Sequence, residues 1–188
     1  TSTDPNNADS DGDNLLDGIE DANANGRVDE GETDPNLADT DGDGMRDDWE
    51  WNYLNLCPVG QGPDPTIADA QIDADGDGLV NLIEFAIGGD PSSPDSNDNG
   101  HMPEFSIVPD GGTNWLTYVY AKRIAADSIG LNYHVERATD LVAGDWTNVN
   151  VEVVGAGTLI PGEFDSVTNR VQIDTEPQQF LKLVIESN

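Results

Sequence analysis

The chain has 188 residues, with 38 Asp plus Glu against 7 Lys plus Arg, for a formal net charge of −31. Such a field repels phosphate and anionic lipid, whose binding requires Lys or Arg to replace counterions, so nucleic acid and anionic membranes are excluded as partners. Hydrophobic residues make up only 36% and aromatics 6%, so a core can form only where the apolar residues are concentrated.

The charge divides unevenly. Residues 1–104 hold 27 acids and only two bases, Arg27 and Arg46, whereas residues 105–188 hold 11 acids and 5 bases. This shift places a domain boundary at Phe105, giving a repeat region over 1–104 and a second domain over 105–188. No run approaches the roughly 18 apolar residues of a membrane span, and no charged start leads into an apolar stretch. The chain opens on Thr1 partway through a repeat, as a processed form or a piece of a longer protein would. Its single cysteine, Cys57, excludes an internal disulfide and reads as a partly buried thiol in the CPVG turn.

The acidic half repeats itself. Asp-Pro followed four residues later by Asp occurs as DPNNAD from Asp4, DPNLAD from Asp34, DPTIAD from Asp64 and DPSSPD from Asp90. The first three begin 30 residues apart, which marks stacked units. Proline fixes its own φ and biases the residue before it away from helix, so each Asp-Pro reads as a turn between units.

Between the turns lie four twelve-residue loops: DSDGDNLLDGIE from Asp9, DANANGRVDEGE from Asp21, DTDGDGMRDDWE from Asp39 and DADGDGLVNLIE from Asp73. Each places oxygen side chains at positions 1, 3, 5, 9 and 12. A calcium ion takes six to eight oxygens, supplied in such a loop by carboxylates or amides at alternate positions, the position-7 carbonyl and a two-oxygen Glu at position 12. The expected ligands are therefore Asp9, Asp11, Asp13, Leu15, Asp17 and Glu20 in the first loop, and Asp21, Asn23, Asn25, Arg27, Asp29 and Glu32 in the second. In the third they are Asp39, Asp41, Asp43, Met45, Asp47 and Glu50, and in the fourth Asp73, Asp75, Asp77, Leu79, Asn81 and Glu84, with Leu15, Arg27, Met45 and Leu79 contributing main-chain oxygen. Position 6 needs a sharp turn, met by Gly26, Gly44 and Gly78 and, in the first loop, by Asn14, which tolerates left-handed backbone. Seventeen of the 27 acids before Phe105 fall on ligand positions, a register that a merely solvated acidic surface would not produce.

A fifth segment, from Asp95, starts the pattern with Asp95, Asn97 and Asn99 but meets Pro103 at position 9. It reads as a half-site, with Glu104 available out of register. The stretches DDWEWNYLNL and VNLIEFAI read as short helices. The first carries Trp49, Trp51 and Tyr53 as local packing; the second places Val80, Ile83 and Ile87 on one face, with Leu82 and Phe85 nearby.

Because Glu20 is followed at once by Asp21, no residues remain for the helix that would enter a second EF-hand. The stretch TDPNLADTDGDGMRDDWE instead resembles the bacterial form of thrombospondin type 3 repeats, over residues 1–104. That resemblance implies a chain wrapped around a line of calcium ions with little apolar core, and the loop residues above as ligands. Asn14 in place of Gly and the absence of regular cysteines depart from the family pattern. Without calcium, a segment this acidic and this poor in apolar residues is expected to be disordered. Roughly millimolar calcium acting on dissociation constants of order 10⁻⁴ to 10⁻³ M stabilises each site by about 0.4 to 1.4 kcal/mol, which points to a location outside the cell or at its surface.

From Phe105 the pattern becomes period two. Leu116, Tyr118 and Tyr120 alternate with Thr117, Val119 and Ala121; Leu131, Tyr133 and Val135 alternate with more polar residues; Val149, Val151 and Val153 do the same. Val171 with Ile173, and Leu181 with Leu183 and Ile185, add two strands, and GG, AG and PG dipeptides read as turns. The fold expected is mostly β: calcium-wrapped loop repeats with short helices, followed by a small antiparallel β-sandwich. That second half resembles a sandwich module found in bacterial secreted proteins with such repeats. His101 and His134 have no Ser or Cys motif beside them and read as surface residues, so no enzyme is expected. The functional expectation is a calcium-stabilised extracellular structural protein that self-associates into a surface or filament assembly. The alternative is a glycan- or cell-surface-binding accessory module of a larger secreted protein.

Overall fold

Each Asp-Pro turn is closed by its own aspartate. The side chains of Asp4, Asp34, Asp64 and Asp90 accept the backbone N–H two residues on, at 2.9 to 3.1 Å, and their carbonyls accept the N–H three residues on. This is the local bond that makes Asp a turn former. A computed structural model describes residues 3–58, 60–94, 101–174, 176 and 178–187, and divides the chain into two units, Thr1–Gly100 and His101–Glu186.

In the first unit three short helices follow three of the acidic loops: α1 (Asp17–Glu20), α2 (Asp47–Tyr53) and α3 (Asn81–Ile87). Each starts at loop position 9, whose N–H donates to the carbonyl of the residue just before its loop. These bonds run from Asp17 to Ala8 (3.0 Å), from Asp47 to Ala38 (3.2 Å) and from Asn81 to Ile72 (2.7 Å). The first residue of each helix thus makes the bond that closes its loop.

A small core does exist in this unit, contrary to the expectation of a nearly coreless segment. Leu15, Met45, Ala70, Ala74, Leu82, Phe85, Ala86 and Ile87 are buried. Trp49 packs edge-on against Phe85 with ring centroids 5.3 Å apart and lies 4.9 Å from Tyr53. The buried stripe of α3 runs through Leu82, Phe85, Ala86 and Ile87, while Val80 and Ile83 are only half-buried. The face expected from spacing is rotated because Asn81 and Glu84 also turn inward. Cys57 is buried, its Sγ lying 3.2 Å from the Pro91 carbonyl, and burial pushes its thiol up to about 11.

The second unit is antiparallel β. Its strands are β1 (Glu104–Asp110), β2 (Thr113–Arg123), β3 (Leu131–Ala138), β4 (Glu152–Ile160), β5 (Phe164–Gln172) and β6 (Phe180–Ser187), with a 3₁₀ turn at Ala126–Ile129. One sheet has the order β1-β2-β5-β4, and β3 pairs with β6 in a second. The stacked rings of Tyr120 and Tyr133, 6.1 Å apart, join the sheets over a core that includes Leu131, Val135, Phe164 and Val171. Alternating burial is clearest in β3.

Two expectations need correction here. Val149 and Val151 precede β4, because Asn150 takes a left-handed turn at φ 61°. Ala156-Gly157 is not a turn but the middle of β4, where the Gly157 carbonyl accepts the Ser166 hydroxyl at 3.0 Å. None of the described helices is long and apolar enough to cross a membrane.

Candidate metal centres

The loop backbone is wound by its carboxylates. At position 1, Asp9 accepts the N–H groups of Gly12 and Asn14, Asp39 those of Gly42 and Gly44, and Asp73 those of Gly76 and Gly78. At position 3, Asp11, Asp41 and Asp75 each accept the position-5 N–H through Oδ1. At position 5, Asp13, Asp43 and Asp77 accept the N–H of Leu15, Met45 and Leu79. The position-6 residue must be left-handed for these bonds to converge. Gly44 lies at φ 98°, and Asn14 fills the same role at φ 77°.

These bonds gather carboxylates that could hold a metal ion. The ligand atoms of Asp9, Asp11 and Asp13 lie within 4.8 Å of one another, as do those of Asp39, Asp41 and Asp43 and those of Asp73, Asp75 and Asp77. A further group of that size joins Asp43, Glu50 and Asp69. The outer oxygens of the position-3 residues (Asp11, Asp41 and Asp75 Oδ2) are buried without a hydrogen-bond partner, and so are Glu20 Oε2 and both oxygens of Glu50 and Glu84. A buried carboxylate oxygen with no donor is costly unless a cation or proton meets it. Burial, then repulsion from neighbouring acids, pushes Asp41 up to about 7, Glu20 and Glu84 to about 8 and Glu50 to about 11.

The position-9 residues take another part. Asp17 accepts the Ser10 N–H and hydroxyl, Asp47 those of Thr40, and Asn81 donates to the carboxylate and carbonyl of Asp69. The Asn81 Oδ1 and Asp77 Oδ2 atoms remain buried and unpartnered.

The second loop is different. Asp21 accepts the N–H groups of Asn25 and Gly26, Asn23 donates to Asp29 and Glu32, Asn25 donates to Asp29, and the Asp29 N–H donates to Glu32. All of these bonds are solvent-exposed, the side chain of Arg27 is exposed, and no metal-sized carboxylate group forms over residues 21–32. No helix follows this loop.

The other three loops are tied in line. Asp13 Oδ2 accepts the N–H of Asp48 in α2 (3.1 Å), and Asp43 Oδ2 accepts those of Asp69 and Ala70 (2.9 and 2.8 Å). The first loop therefore bonds directly to the third, bypassing the second. Asp69 is absent from the expected ligands, although it ends DPTIAD as Asp9 and Asp39 end their own turns. Starting the fourth loop at Asp73 hides that equivalence. Of the half-site, Asp95, Asn97 and Asn99 lie outside the described residues, and Glu104 is the first residue of β1, opposite Val119. His101 packs against Phe164, and His134 lies 3.6 Å from Glu136, which also binds Lys182.

Compared with the models of known protein families and with the sequences of curated proteins, the chain matches none.

Proposed function

We propose that the chain is a calcium-stabilised extracellular structural module of the thrombospondin type 3 kind over residues 1–104, whose β-sandwich associates with further copies of itself. The observation that carries this reading is the set of buried carboxylates Asp13, Glu20, Asp43, Asp47, Glu50, Asp69 and Glu84, in a unit with only two basic residues. Arg27 is exposed, and Arg46 is committed to Asp48 at 2.6 Å. Among the described residues of this unit, no Lys or Arg is left to neutralise the interior acids.

An oxygen-only donor set of Asp and Glu suits a hard cation such as calcium rather than a metal that prefers nitrogen or sulfur. Asp9, Asp11, Asp13 and Glu20 would hold one ion, Asp39, Asp41, Asp43 and Glu50 another, and Asp73, Asp75, Asp77 and Glu84 a third, with the carbonyls of Leu15, Met45 and Leu79. When bound, calcium supplies the positive charge that these orphaned oxygens lack. Extracellular calcium modules with dissociation constants of about 10⁻⁴ to 10⁻³ M fill outside the cytosol and not within it.

Support for self-association comes from the four-stranded sheet. Its edge strands β1 and β4 expose Phe105 (76%), Ile107, Val153 (72%) and Val154, the kind of open apolar edge on which another chain can pair. A glycan platform has less support, since one face of Trp115 is covered by Arg170 (4.0 Å) and one face of Trp146 by Lys182 (4.6 Å). Negative-stain microscopy and sedimentation of the full chain, with calcium and with chelator, test the reading. Calcium-dependent assemblies are expected. Monomers that bind glycans in both conditions would favour the accessory-module alternative, and a chain that takes up no calcium would end the proposal.

A further inference from the structure

We propose that Asp43, Glu50 and Asp69 jointly bind a calcium ion, Asp69 being a ligand supplied by the following Asp-Pro turn, so that metal binding fastens the third loop to the segment that enters the fourth. This rests on the calcium reading of the loops and extends it to a residue outside all four of them.

The three carboxylates approach within 4.8 Å of one another, close to the largest oxygen–oxygen separation around a calcium ion whose ligands stand at roughly 2.3 to 2.6 Å. Glu50 is the second, independent sign. Its relative exposure is 0%, and neither of its oxygens has a hydrogen-bond partner even though it lies in this group. Asp43 and Asp69 are also buried, at 6% and 8% exposure.

Glu20, at the same loop position, shows what Glu50 lacks. Glu20 accepts the hydroxyl of Thr33 at 3.1 Å, and Thr33 immediately precedes the Asp34-Pro35 turn. The residue that precedes Asp64-Pro65 is Pro63, which has no hydroxyl to offer. In the later unit the donor is gone and another carboxylate stands nearby, an arrangement that a cation stabilises and that a neutral environment does not.

Asp69 is held in place by bonds that leave room for an ion. Its Oδ2 accepts the Asp64 N–H at 3.1 Å and its Oδ1 the Asn81 amide at 3.2 Å, and each carboxylate oxygen has more than one lone pair. The Asp69 and Ala70 N–H groups in turn grip Asp43. One bond within its own turn, from Asp64, and longer-range bonds to Asn81 and Asp43 therefore present Asp69 to Asp43 and Glu50.

The test compares the full chain with Asp69→Asn, which keeps the shape and an acceptor oxygen but removes the charge. Native mass spectrometry and calorimetric titration with calcium should show the variant binding one ion fewer, or binding at one step at least tenfold more weakly. Its melting temperature should fall in calcium and hold or rise in EDTA. An unchanged ion count and affinity, or equal loss of stability in both conditions, would mean that Asp69 only braces the fold, and would overturn the proposal. Should the variant not fold, crystals of the unaltered chain grown with terbium decide the matter. An anomalous peak within about 2.6 Å of an Asp69 carboxylate oxygen is expected. Peaks in the loops without one at Asp69 would defeat this inference and leave the calcium reading standing; no uptake at any loop would defeat both.

Discussion

The second loop and the other three share a twelve-residue spacing yet meet the same electrostatic problem in different ways. In the first, third and fourth loops, acids at positions 3 and 12 are turned inward with oxygens that no donor reaches. In the second, amides at positions 3 and 5 supply the donors, and Asn23 and Asn25 tie Asp29 and Glu32 into an exposed hydrogen-bonded knot. Spacing determines how the backbone winds, whereas the choice between Asp and Asn determines whether the loop ends with unmet negative charge. Only the loops with unmet charge close onto the preceding carbonyl, start a helix and link to a neighbour.

Removing the divalent ion breaks the comparison most severely. In excess EDTA the first unit should lose its helical circular dichroism and the partial burial of Trp49 at a far lower temperature than in calcium, because its buried acids then have no cation to meet them and its apolar core is small. The β-sandwich, with its own core, should retain the environment of Trp115 and Trp146. Circular dichroism with tryptophan fluorescence checks this directly; a first unit equally ordered with and without chelator would contradict the calcium reading.

A matched pair of substitutions sharpens the contrast. Glu50→Gln should weaken calcium binding at least tenfold, or about 1.4 kcal/mol, while raising stability in EDTA, where burying Glu50 requires it to take up a proton that the unfolded chain has released. Glu32→Gln, at the same position of the exposed loop, should change stability by no more than about 0.5 kcal/mol in either condition. Thermal melts of both variants with and without calcium give the answer.

The pH dependence should reverse between the two states. In the metal-free fold Glu20 and Glu84 stay protonated up to about 8 and Glu50 up to about 11, because burial raises them. From the ordinary carboxyl range upward, the folded chain holds protons that the unfolded chain has released, so metal-free stability falls as pH rises from about 4.5 toward 8. Calcium competes with those same protons, so its affinity should rise over that interval. Melts and titrations from pH 5 to 8 should show the two opposite slopes.

Much of this was legible in the residues, and the failures have local causes. The loop register and the left-handed demand on Asn14 follow from the spacing of short acidic side chains. The alternation in Leu131–Val135 reads as the half-buried strand it forms. The strand after Asn150 was hidden because its apolar signal stops where the chain turns, and because Gly155 and Gly157 dilute the strand itself. β1 is exposed along its length and so carries no burial pattern to read. Asp69 escaped because its partners lie 19 and 26 positions earlier in the chain, and spacing within one loop says nothing about a carboxylate brought in by the next turn. The divergence of the second loop depends on which N–H reaches which oxygen, a question of geometry that composition leaves open.

The smallest effect sits in the second loop's backbone. Position 4 is left-handed in all four loops. Gly12, Gly42 and Gly76 occupy it in three of them, at φ 77° to 84°, but in the second it is Ala24, at φ 55°. An L-residue with a Cβ pays about 1 kcal/mol or more for that conformation, partly offset by the greater chain entropy that glycine loses on folding. Ala24→Gly should therefore stabilise the chain by roughly 0.5 kcal/mol, equally with and without calcium, since no unmet carboxylate of this loop depends on an ion. The converse change, Gly42→Ala, meets no steric obstacle within 4 Å but imposes the same backbone strain on a loop that gathers Asp39, Asp41 and Asp43. Its cost should be larger in calcium than in chelator. Paired melts of the two variants separate strain in a self-satisfied loop from strain in one that must hold an ion.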